Sequence, residues 1–386
     1  MMSEFSRPFS FVLPTKIHFG PGSLAQLSSE LQAFGISRPL IVTDAGVAKA
    51  GIVARVLKAL PPQSEGILFD SVEANPKDYN VTAGARLYRD SEADGIIALG
   101  GGSPIDCAKA IAVLVANAAD DIRAFEGRNV PSKPLPPLLA VPTTAGTGSE
   151  LTYSVVITDT SRNFKMTVKN AYTAPDVAIC DPLLTLTVPP AVTAATGMDA
   201  LTHAIEAYTA TCAEPISDAV ALYAIELIAA NLVTAFKDGH DLEARSRMLM
   251  GSMLAGIAFS HSDVAGVHCI AEALGGMYDL AHGVCNAVIL PHMMAYAMDY
   301  CQERYARVAR AMSVTPDTGL PGAKAAVEAV QRLAREVELP LFNELGVSLE
   351  DFPAIAKASF INGSTPSNPR PMSEENYLEL LQIMGC

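Results

Sequence analysis

Asp94-Gly-Ile-Ile-Ala-Leu99 runs directly into Gly100-Gly101-Gly102-Ser103-Pro104-Ile105-Asp106. A short apolar segment that ends in glycines and a helix start reads as a parallel strand feeding a crossover helix. Pro104 is a favoured first helical residue, so the helix is expected to begin there. Three glycines allow close backbone approach, and the free N–H groups of a helix N-terminus suit an anion, so a pyrophosphate fits this junction. The spacing is not G-x-G-x-x-G, and a Gly-rich turn alone also reads as a tight connection.

Outward from this junction the same alternation recurs. Upstream, Pro39–Asp44 and Gly66–Asp70 read as strands, with helices up to about Leu60 and from Lys77 to Asp90. Downstream, the strand Leu138–Val141 ends in Pro142-Thr-Thr-Ala-Gly-Thr-Gly-Ser-Glu150, a second small, hydroxyl-rich loop suited to phosphate or ribose. Val155–Asp159 and Phe164–Val168 read as a hairpin, and Asp176–Cys180 as a last strand. Beyond Pro189 the alternation gives way to Ala, Leu, Met and Glu at helical spacings. The paired prolines of Leu183–Pro190 mark the boundary. Two domains are expected: 1–187, an α/β domain with a parallel sheet, and 188–386, an all-helical domain. A length of 386 residues agrees with two cores.

In the helical half, Gly197-Met-Asp199-Ala-Leu-Thr-His203-Ala-Ile-Glu206 places Asp199 and His203 about one turn apart on one face. His268 sits on a second helix, and His282 at the start of the next. One carboxylate and three imidazoles make a divalent-metal site, although each histidine alone reads as a core or surface residue. His292 reads as packed in a helix, His261 as lying in a loop before the His268 helix, and His18 and His240 as surface residues.

Composition excludes several classes. A formal charge of −14 disfavours a nucleic-acid partner. Seven cysteines with no C-x-x-C pair are neither a disulfide framework nor a zinc ribbon, which suits a reducing cytoplasm. The N-terminal residues Met1–Pro8 lack a basic stretch followed by an apolar run, so no secretory signal is read. Ala219–Phe236, the most apolar long segment, contains Glu226 and Asn231 and reads as a buried helix, with no membrane partner.

Taken together, Gly-Gly-Gly-Ser-Pro-x-Asp at 100–106, Pro-Thr-Thr-Ala-Gly-Thr-Gly-Ser-Glu at 142–150, Gly-Met-Asp-Ala-Leu-Thr-His-Ala-Ile-Glu at 197–206 and Ala-His-Gly-Val-Cys-Asn-Ala-Val-Ile-Leu-Pro-His at 281–292 resemble the iron-containing (group III) alcohol dehydrogenases. Asn368-Pro-Arg-Pro371 resembles the family's closing motif. The resemblance implies the dehydroquinate synthase-like fold of that family, with 1–187 a Rossmann-like dinucleotide-binding domain, 188–386 an all-helical metal- and substrate-binding domain, and a cleft between them for cofactor, metal and substrate. It implies Asp199, His203, His268 and His282 as ligands of Fe²⁺, with Zn²⁺ or another divalent ion also compatible. It implies cofactor contacts at Asp44, Asn75, Gly101, Gly102, Ser103, Asp106, Thr143, Thr144, Thr147, Ser149, Ser154 and Lys165. Asp44 at a strand end suits the adenosine ribose and repels a 2′-phosphate, which points to NAD; its other reading is a helix cap.

The implied reaction is hydride transfer between NAD(H) and a small alcohol or aldehyde whose oxygen is polarised by the metal. Phe259 and Ser364 match positions lining the substrate pocket, and Tyr153 is a neighbour. Many members carry a second His one turn after the third ligand; here Glu272 holds that place, read as a proton relay or an extra ligand. The resemblance also implies a homo-oligomer, a dimer or larger. Two other readings stand beside it: a lyase or cyclase of the dehydroquinate synthase type that recycles its NAD, and a non-catalytic metal-stabilised binding protein. Relatives of the first kind lack this full set of motifs, and their phosphate-binding basic residues are not apparent in this acidic chain.

Overall fold

A computed structural model describes residues 7–131 and 133–385. The first six residues, on which most of the N-terminal reading rests, lie outside it, as do Ser132 and the seventh cysteine, Cys386. The chain divides into two units: an α/β unit of residues 13–144 and 148–188, and a helical unit of Pro189 onward together with residues 7–12 and 145–147.

The α/β unit is built on a six-stranded sheet of β1 (Lys16–Phe19), β2 (Pro39–Val42), β3 (Ile67–Phe69), β4 (Gly95–Gly100), β6 (Leu138–Pro142) and β9 (Val177–Cys180). Their order is β1-β9-β6-β4-β2-β3, and every pairing is parallel. Strands β2, β4, β6 and β9 are buried along their whole length, as parallel strands covered on both faces must be. The crossovers run through helices α1 (Leu27–Ala33), α2 (Ala45–Lys49), α3 (Ile52–Ala59), α4 (Asp78–Asp90) and α5 (Gly102–Asn117). Because β3 lies outside β2 while β4 lies inside it, the winding reverses between β2 and β4, and this switch point is where such sheets bind ligands. A small second sheet holds β5 (Gly127–Arg128), β7 (Ser154–Asp159) and β8 (Phe164–Lys169), with β7 and β8 antiparallel as the hairpin reading expects.

Three details differ from expectation. The helix after Gly101 starts at Gly102, two residues before Pro104. The long helix expected up to Leu60 is two, because Gly51 breaks it in a left-handed conformation (φ 77°). His261 lies in the last turn of a helix, not in a loop, and stacks on Phe11 at 3.9 Å between ring centres.

The helical unit comprises α6 (Pro190–Thr209), α7 (Pro215–Lys237), α8 (Leu242–Ser262), α9 (Gly266–Tyr278), α10 (His282–Tyr296), α11 (Met298–Ala311), α12 (Gly319–Glu336), α13 (Phe352–Ile361) and α14 (Glu374–Gly385). Helix α7 is long and apolar enough to cross a membrane by length and composition. Its Ala221, Ala224, Ile225, Ile228, Leu232 and Ala235 are buried in the core shared with Leu201, Met248 and Ile289.

Candidate metal centre and cofactor loops

Helix α6 presents Asp199, His203 and Glu206 at i, i+4 and i+7, one stripe of its buried face. Helix α9 contributes His268 from its first turn, and α10 begins with His282. A close helix contact makes the last placement possible: a Cβ on Gly283 would lie 2.5 Å from the Ala195 carbonyl oxygen, so only glycine lets α10 approach α6 there. One ligand atom from each of Asp199, His203, His268 and His282 falls within 4.8 Å of the others. The first three residues are buried and His282 is half-buried.

Lone pairs converge at this point. His268 Nε2 lies 3.0 Å from His203 Nε2, while His268 and His282 Nε2 lie 4.0 and 3.8 Å from Asp199 Oδ1. The Asn286 amide nitrogen, one turn after His282, reaches Asp199 Oδ1 at 2.6 Å and the Nε2 atoms of His268 and His282 at 3.1 Å each. An NH₂ group has two hydrogens and cannot satisfy three acceptors. The Asn286 Oδ1 and His203 Nδ1 atoms are buried without hydrogen bonds. A divalent cation resolves this excess of acceptors, and the donor set of three imidazoles and one carboxylate fits iron or zinc.

Glu206 organises the site from behind. Its Oε2 accepts from His268 Nδ1 at 2.6 Å and from Ala265 N at 2.9 Å, and its Oε1 accepts from Val267 N at 2.7 Å. The carboxylate thus caps α9 and fixes His268 with its Nε2 lone pair toward the cluster. Burial opposes charge on His268, but the Glu206 hydrogen bond and the nearby carboxylates outweigh it and hold its pKa above the ordinary imidazole value. At His203 burial dominates and pulls the pKa down to about 4. The second imidazole therefore stays neutral and able to ligate at neutral pH.

Phe259 of α8 stacks on His203 at 4.5 Å between ring centres, beside the cluster. Glu272, one turn after His268, is not among the four converging groups; its Oε2 accepts from Asn362 Nδ2 at 2.6 Å. Asn362 in turn accepts from the Ser364 backbone N–H, and the Ser364 hydroxyl meets Asp263 Oδ1 at 3.2 Å. The closing motif docks here too, with Asn368 Oδ1 accepting from Gly266 N at 3.2 Å.

In the α/β unit, Asp44 follows β2 and the glycines follow β4, the two strands that flank the switch point. Asp44 Oδ1 caps α2 through Val47 N at 2.9 Å, and Oδ2 lies 3.5 Å from where a Cβ on Gly100 would stand. Gly100 itself has φ 145°, and a Cβ there would meet Pro104 at 2.6 Å. A Cβ on Gly101 would lie 3.0 Å from Thr144 Oγ1, which sets the two expected cofactor loops side by side. Thr143 is buried, Ser103 sits in the first turn of α5, and Lys165 Nζ donates to Asn75 Oδ1 at 2.7 Å. The Asp106 carboxylate accepts from Ser149 Oγ at 2.5 Å and from Val156 N at 2.9 Å. Tyr153 lends its carbonyl to Asn170 N and Thr173 Oγ1. Thr147, alone of the expected cofactor residues, belongs to the helical unit.

Glu206, Asn286 and Lys109 carry the local geometry yet were not singled out from sequence. Glu206 had a visible signal, a carboxylate one turn after His203.

Sequence comparison agrees with this construction. A family described as iron-containing alcohol dehydrogenase matches residues 14–182, and the C-terminal part of the Fe-containing alcohol dehydrogenase family matches residues 193–384. The chain is 41% identical to 1,3-propanediol dehydrogenase of Klebsiella pneumoniae over 382 residues, covering 97% of this chain and 98% of that protein. It is 40% identical to choline dehydrogenase of Bacillus subtilis over 373 residues, covering 95% and 93%. The crystal structure of a 1,3-propanediol oxidoreductase superposes with a TM-score of 0.94 at 40% identity, covering 98% of this chain and all of that one. With both halves matched in order, the chain belongs to the iron-containing alcohol dehydrogenase family.

Proposed function

We propose that this NAD-linked oxidoreductase interconverts a small alcohol and its aldehyde, with residues 1–187 holding the dinucleotide and residues 188–386 the metal and substrate. The observation that carries the reading is the convergence of Asp199, His203, His268 and His282 on one point, with more lone pairs than the protein's own hydrogens can satisfy. When bound there, a divalent metal supplies Lewis acidity to an alcohol or carbonyl oxygen, and NAD accepts or returns the hydride. The chain's own groups do the rest. Glu206 holds His268 in one tautomer, Phe259 and Ser364 line the substrate side, and Glu272 carries the proton. The protein works in the cytoplasm as a homo-oligomer, a dimer or larger.

The test is metal analysis of protein prepared without air, beside an NADH-linked screen of short alcohols, diols and aldehydes. The names of the relatives make 1,3-propanediol and choline the first compounds to try. Metal-loaded protein that turns over none of them with NAD would overturn the reading.

Two residues are assigned finer roles. Asp44, beside Gly100 at the switch point, receives the adenosine ribose and selects NAD. Asp44→Gly is expected to narrow the preference for NAD over NADP by about tenfold or more, since it removes a repulsive charge and opens space. Glycine is tolerated as a cap at a cost of only a few tenths of a kcal/mol, so the fold should survive. An unchanged ratio of kcat/KM for the two cofactors would refute the ribose role.

Glu272, held by Asn362 one turn from His268, is assigned the proton relay. Glu272→Gln keeps the shape and is expected to retain metal and NAD binding while kcat falls about a hundredfold. The acid limb of the kcat profile should vanish, because a carboxylate acts only above its pKa. Metal loss in this variant would favour the ligand role instead, and an unchanged kcat and pH profile would reject both.

A further inference from the structure

Lys109, two turns into α5, is completely buried. Its ammonium has four oxygens within hydrogen-bond distance for its three hydrogens, Ser149 Oγ at 3.0 Å, Thr152 O at 2.9 Å, Thr152 Oγ1 at 3.1 Å and Ser154 O at 3.1 Å, and stands 3.9 Å from Asp106 Oδ1. A lone ammonium in an apolar interior is too costly to persist. Here four oxygen dipoles and one carboxylate replace its water. Burial still pulls its pKa down to about 8, against the pull of Asp106 and Glu150.

All four oxygens belong to one short segment, 149–154, which leaves the second cofactor loop and enters β7. The ammonium itself rides on α5, whose N-terminus is the first cofactor loop. Asp106 completes the tie, since it accepts from Ser149 Oγ and from Val156 N of β7. The Asp106 oxygens and the Ser149 hydroxyl are thus engaged with each other and with the lysine.

We propose that Lys109 is a positioning residue for the dinucleotide: it touches no cofactor, but clamps the 149–154 segment onto α5 so that the two loops keep one fixed spacing. On this view Asp106 and Ser149 act through the clamp. The inference rests on the reading that these two loops bind NAD.

Lys109→Met keeps the length of the side chain and removes all of these bonds. With the two loops no longer held at one spacing, the dissociation constant for NADH, read by fluorescence titration of the folded protein, should rise roughly ten- to a hundredfold. Amides 149–154 should exchange hydrogen about tenfold faster, with α7 amides and metal content at wild-type values. A merely structural lysine would lower the yield of folded protein but leave its NADH affinity and loop protection intact, and that result would overturn the proposal. Should Lys109→Met not fold, Thr152→Val decides the matter, because it deletes one acceptor without changing charge or size. It should weaken NADH binding about two- to fivefold with faster exchange of the loop, and wild-type values for both would refute the clamp. Wild-type protein that binds no NADH would instead overturn the cofactor reading.

Discussion

Replacing His268 by Ala is expected to strip the metal from the protein and lower kcat/KM by at least about a thousandfold, since a Lewis-acid site that loses one of its few protein ligands loses both affinity and geometry. His268 should be the most sensitive of the four proposed ligands. Its Nε2 faces His203 and its Nδ1 is held by Glu206, so its removal breaks the centre and takes one of two donors from the buried Glu206 Oε2 together. Asp199→Ala, His203→Ala and His282→Ala should each also lose metal, with His282, half-buried at the start of α10, the mildest. Metal content measured beside activity gives the answer. Full turnover by His268→Ala at wild-type stoichiometry would remove it from the ligand set.

How much of this was legible in the sequence depended on how local each cause is. Strands β2, β4, β6 and β9 are buried on both faces and read as continuous apolar runs. Edge strand β1, four residues with only Ile17 and Phe19 apolar, is too short for its alternation to stand out. The Asp199–His203 pair could be read because one helical turn joins it. The metal cluster was legible only as a set of motifs, since His268 and His282 arrive from other helices. Glu206 and Lys109 carry no role legible in sequence, because their partners lie about 60 and about 40 residues away. Nothing in a one-dimensional pattern says which distant amide a buried carboxylate will meet. His261 reads as loop because it lies at the very end of its helix, which stops at Ser262 with Asp263 as the cap.

Glu206 therefore carries the second large expectation. Its two oxygens accept three N–H donors, from Ala265, Val267 and His268, in a place that is almost dry. Glu206→Gln preserves volume but turns one acceptor into an NH₂ donor, so at least one of those N–H groups faces a donor and is left unsatisfied. An unsatisfied buried donor costs about 1–3 kcal/mol. Loss of a carboxylate behind a ligating histidine typically lowers metal affinity ten- to a hundredfold, and that is the expected change in the dissociation constant for Zn²⁺ or Fe²⁺. The pH dependence carries a sign that separates this from general damage. Glu206 helps to raise the His268 pKa, so in wild-type protein the proton on His268 competes with metal over a range that extends above the ordinary imidazole value. Removing the carboxylate lowers that pKa, and the pH at which metal uptake is half complete should move down even as the affinity at pH 8 falls. A variant that only loosened the fold would lose affinity at every pH with the midpoint unmoved. Wild-type affinity in Glu206→Gln would show that α9 needs neither its cap nor the fixed tautomer of His268.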